Sequence, residues 1–147
     1  MITQVLVAVV VAAVAVAVAA VLRRRRAAEP PSQPRTYLAP VQLDRADFAR
    51  PEAPWLVAVF SSATCQTCAA MVAKAQVLAS ESVAVDDVEV GARAALHRRY
   101  EIDAVPIVVI ADRDGVVRKS FVGPASATDL WAAVAEARDP GSTPHPL

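Results

Sequence analysis

A chain of 147 residues with 15 basic and 15 acidic side chains has no formal net charge, which removes the electrostatic basis for nucleic acid or an acidic macromolecule as partner. The length suits one domain with a core built from roughly a hundred residues. The charge that matters is local.

Val5 to Leu22 is an unbroken run of 18 Val, Ala and Leu residues. As a helix rising about 1.5 Å per residue it spans roughly 27 Å, close to the ~30 Å hydrocarbon core. Arg23, Arg24, Arg25 and Arg26 follow directly, and no Lys or Arg precedes the run. Residues 1–26 therefore read as a single-pass transmembrane helix with a basic flank touching lipid phosphate. The positive-inside bias orients it N-out and C-in, with the domain facing the cytoplasm; the outward orientation is the alternative. A cleaved secretory signal carries its basic residues before the apolar segment rather than behind it, although the Ala-rich end imitates a cleavage site. Residues 27–40, with Pro30, Pro31, Pro34 and Pro40, form a stiff, solvated linker. Residues 139–147 read as a disordered tail.

Between linker and tail, Asp44 caps a short helix to Phe48. Trp55 to Phe60 is continuously apolar, as in a strand covered on both faces. Cys65 to about Glu81 holds strong helix formers with no Gly or Pro. Val83 to Val90 is a second strand, and Ala92 to Tyr100 returns to a helical pattern. Ile107 to Ala111 and Val116 to Val122 flank turn residues and pair as an antiparallel hairpin. Ser126 then caps a final helix whose Leu130, Trp131, Val134 and Ala135 mark its buried face. The order β, α, β, α, β, β, α implies a mixed sheet flanked by helices.

The two cysteines, Cys65 and Cys68, make a C-x-x-C where a buried strand meets a helix. Residues so spaced on a first helical turn can join as a small-ring disulfide. Cys65 meets unpaired backbone N–H groups and the positive end of the helix dipole, which favour its thiolate, while Cys68 lies one turn deeper. Cys65 is thus the nucleophile and Cys68 the resolving thiol. The alternatives are half of a zinc site or inert thiols. Zinc lacks its other donors: there is no second C-x-x-C, His97 reads as solvent-facing beside Arg98 and Arg99, and His145 falls in the tail. Pro106 opens a strand, a position where proline is tolerated and where a cis bond also turns the chain sharply.

Taken in order and spacing, the apolar strand, the C-x-x-C helix, Tyr100-x-Ile102-x-x-Val105-Pro106, the hairpin and Val122-Gly123 before an amphipathic helix resemble the thioredoxin superfamily. The match covers most of Leu43 to Ala137. It implies a thioredoxin-like α/β domain over residues 41–138, with Pro106 as a cis-proline facing the dithiol. Val105 and Pro106 then bind substrate, Val105 offering its backbone to an extended strand. No cofactor or metal is called for. Three departures stand out: Thr64 where thioredoxins usually have Trp, Gln66-Thr67 where they have Gly-Pro, and Val59 in place of a buried acid. Asp86, Asp87 and Glu89, nearby in sequence, read as solvated strand-end charges.

The expected function is a membrane-tethered thiol–disulfide oxidoreductase acting on protein thiols and disulfides with an unidentified redox donor, bound to membrane lipid through its N-terminal helix. One alternative is a non-catalytic binding module at the membrane. Another is an outward-facing protein serving extracytoplasmic cysteines, including those of cytochrome c maturation.

Overall fold

The computed structural model of the protein describes residue 4, residues 13–18 and residues 38–142. The chain divides into two compact units, Met1–Thr36 and Tyr37–Leu147. In the first, residue 4 and residues 13–18 are helical, with Val14, Val16 and Val18 exposed. Most of the expected transmembrane run, the arginine cluster, the linker up to residue 37 and the tail from residue 143 lie outside the described residues. Among the described residues no helix is long and apolar enough to cross a membrane.

The second unit is built on four strands, β1 (Trp55–Ser61), β2 (Val83–Glu89), β3 (Ile107–Ala111) and β4 (Val117–Val122), in the order β2-β1-β3-β4. The β1–β2 pair is parallel, because helix α1 (Gln66–Gln76) carries the chain back between them. β1–β3 and β3–β4 are antiparallel, the second joined by the tight turn at Asp112–Gly115. Leu56 to Phe60 are 0 % exposed, as the unbroken apolar run requires of a central strand. β4 is one of the two edge strands and carries charge at Arg118 and Lys119, which discourages further pairing.

Alternation along the strands feeds two cores, one on each face of the sheet. Leu56, Ala58, Phe60, Ile107 and Val109 point to the face covered by Leu43, Phe48 and helix α2 (Ala94–Arg99), with Leu96 and Tyr100 packed alongside. Val57, Val59, Val108 and Ile110 point to the other, covered by Met71 and Ala75 of α1 and by Leu130 and Val134 of α3 (Ala127–Arg138). Each fully buried large apolar side chain contributes about 1.5–3 kcal/mol relative to exposure.

Caps and local bonds set the element ends. Asp44 accepts from the Ala46 N–H and starts a 3₁₀ turn, Arg45–Asp47, and Ser126 accepts from the Asp129 N–H to start α3. α1 stops at Gln76 rather than near Glu81. Beyond it the chain closes with three-residue bonds, Leu78 N–H to Ala75 and Ala79 N–H to Gln76, and Ser80 and Ser82 bond to each other at 3.3 Å. Serine hydroxyls that find local partners compete with helix in this way.

Two expectations are corrected. His97 is 5 % exposed, not solvent-facing: α2 turns it inward, its Nε2 donates to the Val88 carbonyl at 2.7 Å, and its ring stands edge-on to Phe60 at 5.4 Å. In α3 the buried stripe is Leu130, Ala133, Val134 and Ala137, while Trp131 is 42 % exposed and Ala135 is exposed. Trp131 instead lies across to α1, its indole N–H donating to the Lys74 carbonyl at 3.1 Å.

Val41 to Leu43 run along the β3–β4 hairpin. Gln42 bridges Val116, the Leu43 N–H donates to the Gly115 carbonyl at 2.8 Å, and the Val117 N–H donates to the Val41 carbonyl at 3.0 Å. Gly115 is required there. Its φ is +78°, and a Cβ would meet the Leu43 carbonyl oxygen at 1.9 Å.

Candidate active site

The strand-to-helix junction after β1 is a tight turn. The Cys65 N–H donates to the Ser62 carbonyl at 3.1 Å, the Thr64 N–H to the Ser62 hydroxyl at 3.3 Å, and the Ser62 and Thr64 hydroxyls lie 3.1 Å apart. Cys65 is the N-cap of α1, with extended backbone and no side-chain capping bond. Its Sγ therefore sits where the first N–H groups of the helix lack intrahelical acceptors. The first turn of α1 carries no acidic residue to oppose a thiolate.

Cys65 and Cys68 are joined in a disulfide, with Cα atoms 5.4 Å apart. Cys65 is half-buried and Cys68 is 1 % exposed, so access falls on the first sulfur. Thr67 Oγ1 lies 3.5 Å from Cys65 Sγ. Cys68 shares the inward stripe of α1 with Met71 and Ala75.

Pro106 comes to the same end of the sheet. Phe60 pairs with Ile107, so the residue before β3 stands beside the residues leaving β1. The Val105–Pro106 peptide is cis, Pro106 is buried, and Val105 is half-buried against the core on the α2 side. The Pro106 carbonyl accepts from the Gly123 N–H at 2.8 Å, and Gly123 has φ +89°. That bond brings the end of β4 to Pro106, so Val122-Gly123, Val105-Pro106 and the exit of β1 gather at one end of the sheet.

The carboxylates at the end of β2 are strand-end charges as expected, Asp87 exposed and Asp86 and Glu89 partly so, but each also holds specific donors. Asp86 pairs with Arg93 at 2.7 Å and accepts from the Ala49 N–H at 2.9 Å. Asp87 accepts from the buried Ser61 hydroxyl at 2.5 Å. Glu89 accepts from the Ala63 N–H at 3.1 Å and the Ala92 N–H at 2.9 Å. Backbone N–H groups of Gly91, Ala92 and Ala63 hold its carboxyl below the usual carboxylate range. Asp87 and Glu89 thus grip alternate positions of the chain as it leaves β1. The sequence signal was thin: an acid at a strand end, two residues before a glycine.

Among the described residues no group of three or more His, Cys, Asp or Glu could hold a metal ion. A cleft of 830 Å³ lies between β4 and α3, lined by Trp55, Phe121, Ala133 and Ala137 among others, and neither cysteine lines it.

A mixed sheet with a disulfide at the β1–α1 junction is the arrangement of a thioredoxin-like fold, and solved structures share it. A thioredoxin from Fasciola hepatica is 26 % identical, with a TM-score of 0.50 over 57 % of this chain and 81 % of that one. The germline-specific thioredoxin Deadhead of Drosophila melanogaster is 24 % identical, with a TM-score of 0.51 over 58 % and 83 %. A mutant thioredoxin from Halobacterium salinarum is 22 % identical, with a TM-score of 0.50 over 59 % and 76 %. No family model matches the chain, and no curated protein matches it. The fold is that of the thioredoxin superfamily.

Proposed function

We propose that the protein is a thiol–disulfide oxidoreductase in which Cys65 is the attacking thiol and Cys68 resolves. The observation that carries this reading is a bonded cysteine pair at a helix N-terminus, its first member accessible and its second buried. In the reduced protein the Cys65 thiolate attacks one sulfur of a partner disulfide, and the partner's other sulfur leaves as a thiolate that takes a proton from solvent. Cys68, having lost its own proton, then attacks Cys65 Sγ. The intramolecular disulfide forms and the partner's second thiol leaves. Two electrons have passed to the partner, and an external dithiol must restore the protein. Run backward, the sequence oxidises a dithiol. Val105 and Pro106 supply the backbone edge on which an extended partner strand lies.

The test is disulfide reduction in insulin by the segment beginning at Leu38. Turnover is expected, and Cys65→Ser abolishes it; equal rates in the two proteins refute the reading. Cys68→Ser is expected to accumulate mixed disulfides.

The same reading tethers the domain to a membrane through Val5 to Leu22, with Arg23 to Arg26 on the cytoplasmic side, where reducing pools favour work as a reductant. A membrane-impermeant thiol reagent applied to intact cells is expected to leave Cys65 unlabelled. Labelling from outside reverses the orientation and assigns the dithiol to extracytoplasmic cysteines.

A further inference from the structure

We infer that Glu89 is a positioning residue for the Cys65 nucleophile, acting as a clamp between the turn that delivers the cysteine and the loop that begins α2. The inference rests on the oxidoreductase reading and adds a residue to it.

One carboxylate oxygen of Glu89 accepts from the Ala63 N–H, two residues before Cys65, and the other accepts from the Ala92 N–H. Ser61 and Glu89 are register partners in the parallel β1–β2 pair, and the Val90 N–H donates to the Ser61 carbonyl at 3.0 Å. The strand ladder ends there, and the next fastening of the β1 exit to β2 is the Glu89 side chain. After it the chain has only bonds within the turn itself, the Ser62 and Thr64 hydroxyl contacts and the Cys65 N–H to the Ser62 carbonyl, before it reaches Cys65. Where that turn points decides whether the sulfur faces the N–H groups of α1, which stabilise its thiolate.

Gly91 makes room for the clamp. A Cβ there would lie 2.8 Å from Glu89 Oε2, and Gly91 is not among the glycines at positive φ. An alanine at 91 therefore leaves the backbone unstrained but pushes the carboxylate, the free end of a flexible side chain, away from its donors. Glu89→Gln removes the charge and leaves one acceptor oxygen for donors on both loops. The two variants separate geometry from charge, because only Glu89→Gln changes the charge.

The experiment uses the full chain carrying Cys68→Ser, so that one thiol remains. Its alkylation by iodoacetamide is followed from about pH 5 to about pH 10, a window bracketing ordinary and lowered thiol pKa values. Both Glu89→Gln and Gly91→Ala are expected to raise the Cys65 pKa by about one unit, slowing alkylation about tenfold at low pH, while rates converge at high pH where the thiol is ionised in every protein. A role in stability alone lowers the melting temperature and leaves the profile in place. If Gly91→Ala keeps the wild-type profile, the clamp does not set the nucleophile and the inference is overturned, whatever Glu89→Gln does. If the parent thiol itself reacts like that of a free peptide, the oxidoreductase reading fails and the inference with it; a reactive parent with unmoved variants sinks the inference alone.

Discussion

The Ser61 hydroxyl donates to the Asp87 carboxylate at 2.5 Å, joining the last residue of β1 to the strand beside it on the face that α1 covers. Ser61 is 3 % exposed, so its hydroxyl has given up water for this one partner. Asp87→Ala is expected to cost about 1–3 kcal/mol, the penalty for stranding a buried donor. The double variant with Ser61→Ala should recover much of it. Urea denaturation measures both, and an Asp87→Ala domain as stable as wild type contradicts the account.

The inward stripe of α3 gives a paired comparison. Leu130 is 0 % exposed, and Leu130→Ala is expected to cost about 2–5 kcal/mol through lost transfer energy and the cavity left behind. Trp131→Ala removes a larger side chain, but one that is 42 % exposed and bonded to the Lys74 carbonyl, so the loss should be nearer 1 kcal/mol. Thermal melts that reverse this ranking would return Trp131 to the core.

Gly115→Ala is expected to damage the hairpin severely. The left-handed φ alone costs a non-glycine residue about 1–3 kcal/mol, and the added Cβ collides with the Leu43 carbonyl, a backbone atom that cannot swing aside. Amide exchange should show the loss first at Leu43 and Val117, whose N–H groups bond across this junction.

Acid sensitivity traces in part to Asp112. Burial pushes its carboxyl up, but Arg118 and the N–H groups of Val116 and Asp114 outweigh that and hold it below its ordinary 3.8. A folded value below the unfolded one means the group's contribution is complete above the unfolded pKa and drains away as pH falls through the folded one. Denaturation midpoints measured downward from about pH 5 should therefore fall more steeply for wild type than for Asp112→Asn. Parallel slopes would show that Asp112 is not a source of the acid limb.

The parts of the fold most legible in the sequence were those with a single physical cause. The apolar run in β1, the Ser126 cap and the turn before β4 each follow from a local requirement, and all three stand where expected. The cysteine pair was legible for the same reason, since only two thiols exist and three-residue spacing brings them together. His97 was misread because its neighbours Arg98 and Arg99 are polar, whereas its burial depends on the carbonyl of Val88 on another element. The partners of the β2 carboxylates were illegible for the same reason: besides the nearby Ala92 N–H on Glu89, Asp86, Asp87 and Glu89 find donors 7 to 37 residues away. Periodicity speaks of which face a residue occupies, not of what waits there.

The segment from Val41 to Leu43 enters at the tip of the β3–β4 hairpin, and Pro106 lies at the other end of β3. Five strand residues, at about 3.3 Å each, separate these poles by roughly 17 Å. The hairpin tip and the cysteines therefore stand at opposite poles of this unit, a strand's length apart.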